Sequence, residues 1–412
     1  MLRSGDSDPK TVLEIDSLAN LEPGYCDFVG RERFGAFFAD GGAFQRVAVS
    51  PDGTSIVFEV SNLSSTQIPP EQSGFFVVHA DGSGLRRLAP PSARRTFLSS
   101  GGAIQIFPDL AFSPSGGRVV YTDAGPTDDP QVTAIALLDV QTGERHLIPG
   151  IPPLPATVSQ AQITCCTNFF DENTVSFTTS GDPDGSNPDH ARVIVTVHTD
   201  GSDLSVTKLP PVLSESAVLP NFSVIGTKPH PLIGFFPGPP VNPEQSNSSL
   251  IQEILLLDND NELQLTNFRR GDTSGALIDE AHGVLTFVAS ADPFGDNPSF
   301  NCQVFSIASD ASELKQLTRF SEADRSLNGC TFRPAPGCAI GLVAQDAQAG
   351  SLVFYSSCDA FGTGAYGAQA FAVRPDGSGL RQLTSAAGRN VLADGSVTVD
   401  LPSFFAYGPT NP

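Results

Sequence analysis

The feature that most restricts how this chain can fold is a hairpin that recurs along it. Phe76–Leu88, Val195–Leu204 and Phe371–Thr384 each run as an alternating apolar strand, a D-G turn and a second short strand. Degenerate copies occur at Leu138–Gly143, Leu257–Asn261 and Ile307–Asp310, which makes six. A second hairpin precedes each of them. Val47–Phe58 and Leu110–Tyr121 carry it clearly, turning through S-P-D-G and S-P-S-G. Weaker versions lie at Asn168–Phe177, Ser223–Phe236 and Ala276–Phe287, and the last pairs Cys330–Pro334 with Ser351–Tyr355 across an insertion. The unit is therefore four short antiparallel strands, A to D, repeated six times.

One such sheet cannot bury both of its faces. Set radially, each sheet packs its apolar face on the next, so the expectation is an all-β, six-bladed β-propeller of four-stranded antiparallel blades. With 39 Gly and 34 Pro, long helices are not expected. The six units fill residues 44–385. The flanking segments, 1–43 and 386–412, each hold an alternating strand, Thr11–Ile15 and Ser396–Leu401, expected to close the ring.

The S-P-D-G turn between the first two strands and P-D-G-S-G-L-R-Q-L-T across the last two resemble the repeats of TolB-like (WD40-like) β-propeller proteins. Ala291–Phe305 is similar to repeats of secreted bacterial TolB-like proteins. The resemblance covers most of the chain and implies a propeller with a periplasmic or secreted address, the alternative being cytoplasmic. TolB itself carries an α/β domain before its propeller, for which residues 1–43 are too short, so a Tol–Pal role is not expected to transfer.

Charge narrows the partners. The chain has 23 Lys+Arg against 45 Asp+Glu, a net charge of −22. That balance opposes binding to a phosphate backbone, so no nucleic-acid partner is expected. No apolar run approaches the length of a membrane span, and no membrane insertion is expected. The first ten residues hold no apolar leader. Seven Cys occur without any C-x-x-C pair, which argues against zinc. Four of them, Cys302, Cys330, Cys338 and Cys358, cluster in the last two units and favour disulfides.

Catalytic signatures are missing: there is no G-x-S-x-G, H-E-x-x-H or Walker A string. Gly362–Gly367 fits G-x-G-x-x-G but lies between strands with no helix to follow. His79 and His198 occupy equivalent places before their D-G turns, which suits a shared structural role. The loops are the remaining candidates. In such a blade the B–C and D–A loops share one face. The B–C loops carry acids, among them Asp128 and Asp129, while the D–A loops carry Arg94, Arg95, Arg269, Arg270, Arg319 and Arg325. An arginine set of this kind suits carboxylate or phosphate groups on a ligand. Asp182, Asp184, Asn187 and Asp189 space their oxygens somewhat like a calcium loop, although Asx turns account for the same residues without metal. The expected function is a non-catalytic scaffold that binds a protein or envelope component. The alternative is a calcium-dependent hydrolase of the propeller lactonase or phosphatase sort.

Overall fold

The computed structural model describes residues 43–61, 73–91, 110–124, 132–155, 164–208, 223–224, 232–237, 252–258, 261–268, 273–279, 283–320, 340–346, 350–356, 360–361, 369–383, 389–391 and 397–399. Among the described residues every regular element is a strand. No helix there is long and apolar enough to cross a membrane. The chain divides into two compact units, Lys10–Ala217 and Val218–Asn411.

In the first unit, sheet 1 is β1 (Ala43–Val49), β2 (Ser55–Ser61), β3 (Gly74–His79) and β4 (Arg86–Ala89). Sheet 2 follows as β5 (Leu110–Phe112), β6 (Arg118–Ala124), β7 (Val132–Asp139), β8 (Arg145–Leu147) and β9 (Leu154–Pro155). Sheet 3 is β10 (Thr164–Phe169), β11 (Thr174–Thr179), β12 (Val193–His198) and β13 (Ser205–Lys208).

In the second unit, sheet 4 is β14 (Ser223–Val224), β15 (Leu232–Pro237), β16 (Gln252–Asp258) and β17 (Asn261–Gln264). Sheet 5 is β18 (Thr273–Asp279), β19 (Val284–Ala289), β20 (Gln303–Ala308) and β21 (Lys315–Gln316). Sheet 6 is β22 (Ile340–Asp346), β23 (Ser351–Ser356), β24 (Gln369–Val373) and β25 (Arg381–Gln382). A separate hairpin joins β26 (Arg389–Val391) to β27 (Val397–Val399).

The sheets are antiparallel, with strands in chain order except for β9. The architecture is that of a β-propeller. Two readings need correction. Sheet 2 has five strands rather than four, because Leu154–Pro155 returns to pair with Val132–Thr133 on β7. The first strand of sheet 6 is Ile340–Asp346, which pairs with Ser351–Ser356 directly, so no insertion splits that hairpin. Cys330–Pro334 lies outside the described residues, as does the closing candidate Thr11–Ile15. The other closing candidate, Ser396–Leu401, contributes β27 to the separate hairpin.

Alternation along each strand divides its side chains between two neighbouring sheets. In sheet 2, Val119, Tyr121, Ala136 and Leu138 pack with Val57, Phe75 and Val77 of sheet 1. Their chain neighbours Val120, Ile135 and Leu137 pack instead with Val175, Phe177 and Val195 of sheet 3. The second unit repeats this. Phe287 and Phe305 of sheet 5 join Ile254 of sheet 4, while Val288 and Val304 join Phe354 and Phe371 of sheet 6. A sheet with both faces buried has no solvent-facing row, so its inner strands carry apolar side chains on both sides, as at Phe75–Val78 and Ile135–Leu138, instead of the alternation expected.

A recurring string completes the seam between successive sheets of the second unit. Gln264-Leu-Thr-Asn-Phe268 ends sheet 4, and Gln316-Leu-Thr-Arg-Phe320 ends sheet 5. The Phe268 ring lies 6.0 Å from Phe287 and 5.8 Å from Phe305 of the next sheet. Likewise the Phe320 ring lies 6.0 Å from Phe354 and 5.6 Å from Phe371. Each phenylalanine plugs the sheet that follows it.

Glycines of the C–D turns allow another close approach. Gly201 of sheet 3 has φ +85°, and a Cβ there would land on the carbonyl oxygen of Pro149, which follows β8 of sheet 2. A third seam uses polar groups. Ser115 of sheet 2 donates from its backbone N (2.9 Å) and hydroxyl (2.8 Å) to the Glu172 carboxylate of sheet 3, and Arg118 adds an ion pair at 3.3 Å.

Candidate loop-face interface

The B–C loops of sheets 3 and 5 are built to one plan, D-P-x-G-x-N-P, at Asp182–Pro188 and Asp292–Pro298. Asp182 Oδ1 accepts from Asn187 N at 2.7 Å, and Asp292 Oδ1 from Asn297 N at 2.8 Å. The Asn187 amide donates to Gly181 O (2.7 Å) and Ala191 O (2.8 Å). Asn297 repeats this with Ala291 O (2.9 Å) and Asn301 O (2.8 Å). Both asparagines are buried, so each pins the two ends of its loop together in a dry setting. Three residues later the chain takes left-handed backbone at His190 (φ 53°) and Phe300 (φ 54°), whose N–H groups bond back to Asn187 O and Asn297 O.

Hydrogen bonds thus account for most of the set read as a calcium loop. Asp182 and Asn187 close the loop, and Asp184 accepts from Ser186 N at 2.9 Å. The Ser186 hydroxyl and N–H hold the Asp184 carboxyl below its usual range. Asp189 lies in the same loop, exposed. No group of three or more His, Cys, Asp or Glu side chains that could hold a metal occurs among the described residues.

The twin loops differ at Ser186 against Asp296 and at the apex. Sheet 3 presents Asp184, and sheet 5 presents Phe294, 49% exposed. Sheet 6 carries a related string, Asp359-Ala-Phe361-Gly, and Phe361 is 50% exposed, with one ring face 6.4 Å from Phe371. Each apex stands five residues past the end of its strand B, at Thr179, Ala289 or Ser356.

Of the arginines singled out from sequence, Arg319 is described. Its guanidinium reaches Asp296 of the B–C loop at 3.5 Å, with both side chains more than half exposed. The next residue, Phe320, accepts at its carbonyl from Asn301 Nδ2 and Gln303 Nε2, each at 3.0 Å. In sheet 5 the segment leaving strand D and the B–C loop therefore share one side. Arg94, Arg95, Arg269, Arg270, Arg325, Asp128 and Asp129 lie outside the described residues.

The D-G turns sit at the other end of the strands. Asp200 accepts from Ser202 N (2.9 Å) and Ser202 Oγ (2.7 Å), and Asp376 accepts from Ser378 N at 2.8 Å. His198 Nδ1 is 3.2 Å from Ser202 Oγ, so a histidine, a serine and an aspartate meet here. The serine proton points at the carboxylate, not the imidazole, which is turn chemistry and not an activated nucleophile.

No protein-family profile matches the chain, and no curated protein matches it. Solved structures do. A prolyl endopeptidase is similar over 88% of this chain and 43% of its own, at 9% identity and a TM-score of 0.50. This chain resembles it in fold alone. The β-propeller domain of the Trilobed protease from Pyrococcus furiosus aligns over 85% of this chain and 98% of its own, at 10% identity and TM-score 0.41. TolB from Acinetobacter baumannii aligns over 81% and 66%, at 14% identity and TM-score 0.38. The chain spans less than half the length of the prolyl endopeptidase it matches.

The Asx-turn reading of these residues matches the bonds of Asp182 and Asp292, while the pinning by the asparagine amides was not read from sequence. Two copies of D-P-x-G-x-N-P at corresponding places in two repeats mark a shared frame, and only the direction of the asparagine amide separates a frame from a ligand set.

Proposed function

We propose that the six sheets are six blades of one TolB-like propeller, and that it binds a protein or envelope component through its B–C and D–A loops. The observation that carries this is a constant frame with a variable tip. Asn187 and Asn297 fix their loops identically, while the apex changes from Asp184 to an exposed Phe294. A side chain held out by a rigid loop loses little further entropy on binding, and aromatic anchors contribute disproportionately at interfaces. The surrounding net charge of −22 favours a partner with a basic rim. In this reading Arg319, with Arg94, Arg95, Arg269, Arg270 and Arg325, shares that face with Asp128 and Asp129.

An extracytoplasmic address goes with this proposal and is supported by the cysteines. Cys302 is fully buried and its sulfur is engaged, while the side chains of all other cysteines lie outside the described residues. A disulfide to Cys330, Cys338 or Cys358 fits that placement.

Capture of partners from an envelope extract, with wild type against Phe294→Ser and Phe361→Ser, tests the interface. Phe294→Ser should retain the wild-type melting temperature, Phe361→Ser should stay folded with a slightly lower one because its ring covers Phe371, and both should lose the partner. Undiminished capture by the double variant would place the binding surface elsewhere.

A further inference from the structure

Glu253 is the second residue of strand C in sheet 4 and Gln303 the first in sheet 5, and each stands five residues before its strand's end, at Asp258 and Ala308. Their surroundings match in four contacts. Thr318 Oγ1 donates to Gln303 Oε1 at 2.8 Å and accepts from Val304 N at 2.9 Å. Thr266 Oγ1 donates to Glu253 Oε2 at 2.5 Å and accepts from Ile254 N at 2.9 Å. Phe320 N donates to Gln303 Oε1 at 2.9 Å, and Phe268 N donates to the Glu253 carboxyl. Gln316 and Gln264 each cap the threonine carbonyl, at 2.8 and 2.7 Å. One difference remains. Gln303 has an amide that donates to Phe320 O at 3.0 Å, and a carboxylate has no proton to offer the matching Phe268 O.

We propose that Glu253 is a proton-dependent latch: as a neutral carboxylic acid it fills a glutamine's place and seats the Phe268 plug in sheet 5, and ionisation loosens that seam. Glu253 is 2% exposed. Burial pushes its carboxyl up from the ordinary 4.5 to about 8, against hydrogen bonds from Thr266 and the Phe268 backbone that favour the charged form.

Among the described residues, no charged side chain figures among the causes of that shift. The partner strand β15 brings no ionisable residue. On β17, Glu262 stands opposite Leu257, four positions further along β16, and Asp258 of β16 itself stands opposite Asn261. On β18, Asp279 stands opposite Val284. Arg269 and Arg270 follow Phe268 in the chain and lie outside the described residues.

An acid whose folded value is raised contributes stability that is full below the unfolded value of 4.5 and is lost as pH rises through about 8. Across that window each pH unit lowers the folded-to-unfolded ratio by up to about tenfold.

The test compares full-length wild type, Glu253→Gln and Gln303→Glu. Infrared spectra at neutral pH should show a protonated carboxyl in wild type that Glu253→Gln removes. In urea unfolding between pH ~5 and ~8, Glu253→Gln should lose a slope of up to about tenfold per pH unit. Gln303→Glu should gain one of similar size. Parallel pH profiles for wild type and Glu253→Gln, or no protonated carboxyl at neutral pH, would overturn the latch. Should Glu253→Gln fail to fold, Gln303→Glu decides alone, an added slope supporting the proposal and an unchanged one refuting it.

Discussion

Gly185 and Gly201 provide a matched pair for weighing the close approach between sheets 2 and 3. Their backbones are nearly the same, φ +82° and φ +85°. A Cβ on Gly185 meets nothing within 4 Å. One on Gly201 lands on the Pro149 carbonyl oxygen, 2.9 Å from the carbonyl carbon and 3.0 Å from the proline Cγ. Placing alanine in left-handed backbone costs about 1–2 kcal/mol at either position. At Gly201 the seam must also open by roughly 1 Å for ordinary contact, an overpacking cost of about 1–3 kcal/mol. Gly201→Ala should therefore destabilise by about 2–5 kcal/mol, and Gly185→Ala by about 1–2 kcal/mol. Urea unfolding with unchanged m-values gives the difference directly. Equal losses for the two variants, within ~0.5 kcal/mol, would mean that the sheets part freely and the seam is not tightly packed.

Asn297→Ala strands two buried carbonyl acceptors and should cost about 2–4 kcal/mol, read as a shifted unfolding midpoint, with Asn187→Ala close behind. The Ser202 hydroxyl and N–H hold the Asp200 carboxyl below its ordinary 3.8, and Ser378 does the same for Asp376. A depressed acid stabilises above the unfolded value and loses that contribution as pH falls through the folded one, so Asp200→Asn with Asp376→Asn should flatten the acid limb below pH 3.8 in a circular dichroism titration. Mass spectrometry of unreduced, denatured protein prepared under oxidising conditions should count fewer than the seven free thiols of the sequence.

The hairpins were legible because their turns are local chemistry. Ser50, Asp52 and Gly53 build the first A–B turn from their own hydrogen bonds, and the D-G-S turns do the same, so those strings mark strand ends without reference to anything distant. Ile340–Asp346 was not legible. Its turn lacks a P-D-G string, its register shifts between Gly341 and Ala344, and a glycine interrupts the apolar alternation. Leu154–Pro155 is two residues long, below any periodicity, and pairs with β7 only through tertiary packing. At the loop face the sequence yielded the residue types and the shared side of Arg319 and Asp296. It did not yield the direction of the Asn187 and Asn297 amides, because a side chain that can both donate and accept is committed only by the carbonyls around it. The equivalence of Glu253 and Gln303 was present as the repeated Q-L-T-x-F string, one strand away from the residue whose chemistry it reveals.

The phenylalanine plugs give the growing chain a direction. Phe268 and Phe320 are made before the sheets that receive them, so on the ribosome each apolar ring must wait for its socket. At roughly 5–20 residues per second the wait is several seconds, long compared with the collapse of a short chain. During that interval the nascent protein offers an aromatic side chain and one bare sheet face to whatever stands at the tunnel exit. Release before sheet 6 would leave Phe320 without Phe354 and Phe371, and such a fragment would be a natural client for chaperones.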